Sequence, residues 1–157
     1  MATSDAQTQL QQMKDDHRAN TYRNVDIRLS SILDLTFDLD DSNTDGKLSL
    51  TVVADGAVIS GTVISEDAWA EAQAIKSEAN SPKFAAALRV LQDGAVEGRA
   101  KRNADAANSD EHRALRTKIH FDNASIIMGG TTVTTNGLRV DLKHVSAWML
   151  GEMSKQD

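Results

Sequence analysis

Apolar residues recur with period two in two separated stretches of this chain, residues 33–64 and 118–150, and with helical spacing between them. Period two places alternate side chains on one face of a strand; a spacing of three to four residues makes a helical stripe. A chain patterned in this way builds its strands from two sequence-distant halves, with a helical insertion between them. At 157 residues, it is sized for one domain.

The first half reads as three strands. Leu33, Leu35, Phe37 and Leu39 alternate with Asp34, Thr36, Asp38 and Asp40, predicting a strand with one buried face. The polar run 41–46 is a turn, and Leu48, Leu50 and Val52 alternate again. Ala54-Asp55-Gly56 signals a hairpin. The stretch 57–64 is apolar on both faces and so is expected at the sheet centre, with Gly61 marking a bend or a close backbone approach.

The period then changes. Ser65 can cap a helix whose first turn holds Glu66 and Asp67, and Ser81-Pro82 restarts one. Phe84, Leu88, Leu91 and Ala95 form one apolar stripe. Gly94 and Gly98 weaken the helix, and residues 99–114 read as a mobile loop or loose helix. Strands return at Lys118, continuing to Met128, with His120 expected on the solvent side opposite Ile119 and Phe121. Gly129-Gly130 and Asn136-Gly137 are turn signals on either side of a short strand, 131–135. Residues 138–142 and 145–150 complete the pattern, broken at His144.

The expected fold is therefore α+β and mainly β. It is a small five- or six-stranded antiparallel barrel or strongly bent sheet, SH3/Sm-like, because closure leaves few open edges. An open sheet with helices on one face is the alternative. Residues 1–28 form a polar N-terminal arm or helix, and residues 29–157 one β-rich domain with a two-helix insertion at about 66–114.

Composition narrows the chemistry. The absence of cysteine excludes disulfides, a thiol nucleophile and cysteine-ligated metals. No apolar run approaches a membrane span, and the first residues lack the apolar core of a signal peptide, so a cytoplasmic location is expected. The net charge of −6 argues against general nucleic-acid binding. Residues 29–56 hold six acids and one base, net −5; residues 83–118 hold eight bases and five acids, net +3. Two such patches can attract each other between molecules.

No catalytic, cofactor or metal residue is nominated. Asp41, Asn43, Asp45 and Gly46 match the first half of a calcium loop, but Val52 stands where the bidentate glutamate belongs, and the reading is a solvated turn. His17, His112, His120 and His144 form no metal-binding pair at helical spacing. Neither a serine-nucleophile elbow nor a phosphate-cradling glycine loop is present. Trp69 and Trp148 are expected as core residues or partner-binding anchors.

Three segments carry a resemblance. Gly56-Ala57-Val58-Ile59-Ser60-Gly61-Thr62-Val63-Ile64-Ser65 resembles the hairpin and central strand of the gas-vesicle accessory protein U family. Ile119-His120-Phe121-Asp122-Asn123-Ala124 resembles a later strand of that family, and Val145-Ser146-Ala147-Trp148-Met149-Leu150-Gly151 its C-terminal strand. The resemblance implies a non-enzymatic gas-vesicle accessory protein that self-associates and clusters vesicles. Its partners would be gas-vesicle shell proteins and itself, with no nucleic acid, membrane or cofactor. The alternative function is a small-barrel binding module for a protein or RNA partner.

Overall fold

Asp26 caps the first helix, its side chain accepting from the backbone N–H groups of Arg28 and Leu29 at 2.8 and 3.2 Å. In the computed structural model, which describes residues 25–107 and 116–153, this helix is α1 (Ile27–Phe37). The strand expected over 33–40 is thus helical up to Phe37. Leu29, Leu33 and Phe37, four residues apart, form a stripe that is 1% exposed or less, whereas Leu35 is 85% exposed. Leu33 and Phe37 satisfy both periods; Leu29 below and Leu35 between decide for the helical one.

β1 (Leu48–Ala54) and β2 (Ala57–Ile64) follow as a hairpin. Its two-residue turn has positive φ at both Asp55 (49°) and Gly56 (80°), the conformation that matches strand twist. Ser65 then caps α2 (Glu66–Glu78) by accepting from the Ala68 N–H at 3.2 Å, and Pro82 opens α3 (Pro82–Ala107). α3 runs through the segment expected to loosen from residue 99; residues 108–114 lie outside the described residues, as do residues 1–24 of the expected arm.

β3 (Lys118–Met128) pairs with β2, and β4 (Thr131–Asp141) with β3. The turn expected at Asn136-Gly137 is absent, and β4 passes through it as one strand. Gly137 instead has φ +82° and lies beneath Gln73 of α2, where a Cβ would stand 2.0 Å from that amide. A three-residue 3-10 turn (Leu142–His144) leads into β5 (Val145–Leu150). All pairings are antiparallel, in the order β4-β3-β2-β1-β5.

The sheet is not closed, contrary to the barrel expectation: β4 and β5 are its two edges and do not pair. It must nevertheless bend strongly. Four inter-strand steps of about 4.8 Å separate the edges of a flat sheet, about 19 Å. The chain from Asp141 to Val145 reaches about 14 Å at most. Leu142, 1% exposed, belongs to the core that this bend encloses.

That core lies on one face. It unites Leu29, Leu33 and Phe37 with Leu50, Val52, Ile59, Val63, Ile119, Phe121 and Val140. Each fully buried large side chain contributes about 2 kcal/mol. Gly61 sits at a close backbone approach of β3 to β2, as its place in a strand predicts: a Cβ there would meet the Asn123 carbonyl oxygen at 2.1 Å. The helical hairpin lies against the other face. α2 touches β3 and β4, and α3 packs mainly on α2. Helices therefore flank both faces rather than one.

Candidate functional site

Polar chemistry concentrates where the helices meet the ends of β3 and β4. A cavity of about 170 Å³ opens there, lined by Asp34 of α1, Asp41, Glu66 of α2, Arg99 of α3, Arg116, His120 and Arg139 among others. The two arginines organise it. Arg116, its side chain 11% exposed, donates to Asp34 Oδ1 at 3.2 Å, Asp41 Oδ1 at 2.7 Å and the Asp38 carbonyl at 3.2 Å. Its own backbone N–H donates to Ser30 Oγ, and its guanidinium lies 5.9 Å from the Phe37 ring centre. Arg99, 12% exposed, bonds Glu66 Oε2 at 3.0 Å, Asp67 and the Asp40 carbonyl. Lys118 pairs with Asp141, and Arg139 reaches Glu66 at 3.5 Å. Burial raises the pKa of Asp141, but the Lys118 bond and its Lys143 contacts outweigh that and leave it below the usual carboxylate value.

His120 lies beneath these charges. It is 2% exposed, not solvent-facing as its place opposite Ile119 and Phe121 suggested, because α2 covers that face of β3. Its ring centre is 5.2 Å from that of Trp69. Burial first, then Arg139, Arg116, Arg99 and Lys118, push its pKa down to about 3, so the imidazole is neutral at physiological pH. Among the described residues its buried Nε2 has no hydrogen-bond partner, and neither do Trp69 Nε1 and Gln73 Nε2.

This cluster works as a clamp. A neutral imidazole and guanidinium groups already paired with carboxylates tie α1, α2 and α3 to the sheet. The clamp also revises the electrostatic expectation. Within one molecule, Arg116 of the basic segment pairs with the Asp34 and Asp41 carboxylates of the acidic segment, and Arg116 and Arg99 also donate to the backbone carbonyls of Asp38 and Asp40. Those groups are committed inside the fold.

Two of the calcium-loop residues are drawn inward in the same way, while Asp45 is exposed. Asp41 accepts from Arg116, and Asn43 Nδ2 donates to the Thr36 carbonyl at 2.9 Å. Among the described residues, no group of three or more His, Asp or Glu is placed to hold a metal ion. His144 Nδ1 is 3.1 Å from Asp55 Oδ1 at the exposed hairpin tip. His17 and His112 lie outside the described residues. Trp148 is half-buried against the core, and its Nε1 donates to Asp26 Oδ2 at 2.8 Å, which holds the Asp26 carboxyl below its ordinary value.

A second polar feature binds the C-terminal segment to the sheet. Ser49, Thr51, Ser60 and Thr62 face the side opposite the core, and the chain crosses them after β5. Thr51 Oγ1 donates to the Gly151 carbonyl at 2.8 Å, and the Met153 N–H donates to Ser60 Oγ at 2.7 Å. Ser49 and Thr62 hydroxyls donate to Glu152 Oε1 at 3.3 and 2.9 Å. Sequence reasoning missed this latch and both clamp arginines. The signal for the latch was the hydroxyl at every second position of 49–51 and 60–62.

Large apolar side chains stand outside both features. Phe84, Val90 and Leu91 of α3 are 54–71% exposed, as are Met149 and Leu150 of β5 at 55% and 54%. Of the expected α3 stripe, Phe84 and Leu91 are thus exposed, while Leu88 and Ala95 are half-buried. The inner side of α3 uses Arg89, which bonds Glu71 and Glu78, and Gln92, which bonds Asp67. The fold and its surface define an α+β protein built on an open, bent antiparallel sheet, with paired charges inside and apolar groups outside.

Residues 30–153 match the family model described as gas vesicle protein GvpU-like. The match covers most of the chain, which belongs to that family and is a gas-vesicle-associated protein. No curated protein and no solved structure matches it. Among the described residues, no helix is long and apolar enough to cross a membrane.

Proposed function

We propose that this chain is a non-enzymatic accessory protein that self-associates and clusters gas vesicles. Its partners in this reading are the vesicle shell proteins and further copies of itself, in the cytoplasm, without nucleic acid or membrane. The carrying observation is the distribution of groups: charged side chains are paired in the clamp, while Phe84, Val90, Leu91, Met149 and Leu150 project into solvent. Large apolar side chains left exposed in this way are open to association. Family membership points that association at gas vesicles. We further read the fold as akin to the small SH3/Sm-like barrels. The N-terminal helix, the strong bend and the 3-10 turn before β5 support this.

Electron microscopy of vesicle-bearing host cells with and without the gene tests the functional reading. Bundled vesicles with the gene and dispersed vesicles without it are expected. Identical vesicle distributions in both would overturn it.

A further inference from the structure

An open sheet has two edges, and here they differ. β4 carries Arg139 and Asp141 and contains Gly137 with positive φ. β5 reads Val-Ser-Ala-Trp-Met-Leu, six residues without a charge, a proline or a glycine. Natural edge strands are usually blunted by lysine, proline or a covering segment, because their unpaired backbone groups template another strand. β5 carries no lysine and no proline. The chain leaving it does not cover it either: Gly151 turns inward at φ +104°, and Glu152 and Met153 cross over β1 to β2. Among the described residues the outer edge of β5 is open.

The surroundings suit a protein strand. Met149, Leu150 and Met153 are each more than half exposed. Met149, registered with Thr51 of β1, and Leu150 are the exposed apolar side chains of the edge strand itself, while Met153 lies two strands inward with its N–H on Ser60 of β2. Flexible thioether side chains adapt well to an apolar partner.

We propose that β5 is a self-association edge, at which β5 of a second copy pairs antiparallel about a two-fold axis to make one continuous ten-stranded sheet. A strand paired with its own copy in this way is self-complementary in its backbone hydrogen bonds. Charge decides which edge a second copy would use. Two copies of a chain with net charge −6 repel each other, and like charges placed directly opposite destabilise a strand pair. β5 is the edge that brings no charge to the dyad. This inference rests on the self-association reading above and names its contact. It also predicts association driven by backbone bonds and apolar contact, not by the acidic and basic segments.

The test is the mass of the full chain by light scattering at low and high salt, with hydrogen exchange of the β5 amides. Twice the chain mass at both salt concentrations, with β5 amides protected, is expected. Met149→Lys and Ala147→Lys should each restore the monomer mass with unchanged circular dichroism. Met149→Leu and the β4 variant Val133→Lys should leave the dimer intact. A wild-type monomer, freely exchanging β5 amides, or dissociation by Val133→Lys as readily as by Met149→Lys would overturn the proposal. Vesicle clustering by the wild type and both lysine variants alike would sink this contact and leave the functional reading standing. A β5-dependent dimer that ignores vesicles would do the reverse.

Discussion

Arg116 Nη1 donates to Asp41 Oδ1 at 2.7 Å, and this pair joins the entrance of β3 to the loop between α1 and β1, 75 residues earlier. Both side chains are nearly buried, at 11% and 4% exposure. Such a pair is costly to break from one side, because the remaining charge loses both water and its partner. Arg116→Ala should therefore destabilise the fold by about 3–5 kcal/mol in urea unfolding. Arg116→Lys should recover only part of the loss, since an ammonium cannot reach Asp34, Asp41 and the Asp38 carbonyl in the planar pattern that the guanidinium uses. Equal stability of Arg116→Ala and the wild type would refute the clamp.

His120 gives the clamp a pH signature. Folding lowers its pKa from 6.5 to about 3, so the unfolded chain takes up the proton first. Stability from this group is complete above the unfolded value of 6.5 and is lost as pH falls towards 3. Between pH 6.5 and about 4.5 the loss should be about 2–3 kcal/mol. His120→Phe keeps a ring beside Trp69 and removes the titration. Its stability should be nearly flat over that window by comparison; a slope equal to that of wild type would exclude His120 as the source.

Two glycines should respond in opposite directions to alanine. At Gly61 the new methyl would stand 2.1 Å from the Asn123 carbonyl oxygen and 2.9 Å from Ala124 Cα, both backbone atoms of the neighbouring strand. Gly61→Ala should cost about 3 kcal/mol and lower the yield of folded protein. Gly94 lies inside α3 with nothing within 4 Å of a Cβ. Gly94→Ala should stabilise by about 0.5–1 kcal/mol through reduced backbone entropy of the unfolded chain. Thermal unfolding of the two variants gives the comparison directly.

The inward and outward leucines should separate as sharply. Leu33 is 1% exposed and belongs to the core; Leu91 is 71% exposed. Leu33→Ala should cost about 2–5 kcal/mol. Leu91→Ser should stay within about 0.5 kcal/mol of wild type. A large loss at Leu91 would mean that α3 packs differently against α2.

Much of this fold is written in local signals. Asp55-Gly56, Ser65, Pro82, the alternating run in β1 and the apolar run in β2 each specify their element with neighbours close in sequence. The expectation failed where the deciding group was distant or shared between two patterns. Leu33, Asp34, Phe37 and Asp38 satisfy a strand as well as a helix, and the buried Leu29, the exposed Leu35 and the cap at Asp26 break the tie. Asn136-Gly137 has the composition of a turn, but its glycine serves contact with Gln73 of α2. His120 looked solvent-facing because nothing in its own strand shows that α2 lies over it. The clamp was least legible, since Arg99 finds its carboxylates 32 and 33 residues away and Arg116 finds its own 75 and 82 residues away. Sheet closure was likewise not a local property. The turn 142–144 brings the chain from one edge to the other, while β4 and β5 stay unpaired.

The most direct measurement is flotation. Purified chain is mixed with gas vesicles from its own host, the vesicles are allowed to rise, and the buoyant layer is assayed at low and high salt. The account predicts co-flotation with visible clusters of vesicles, with clustering retained at high salt and lost in Met149→Lys. Chain left wholly in the liquid below the vesicles at either salt concentration would contradict it.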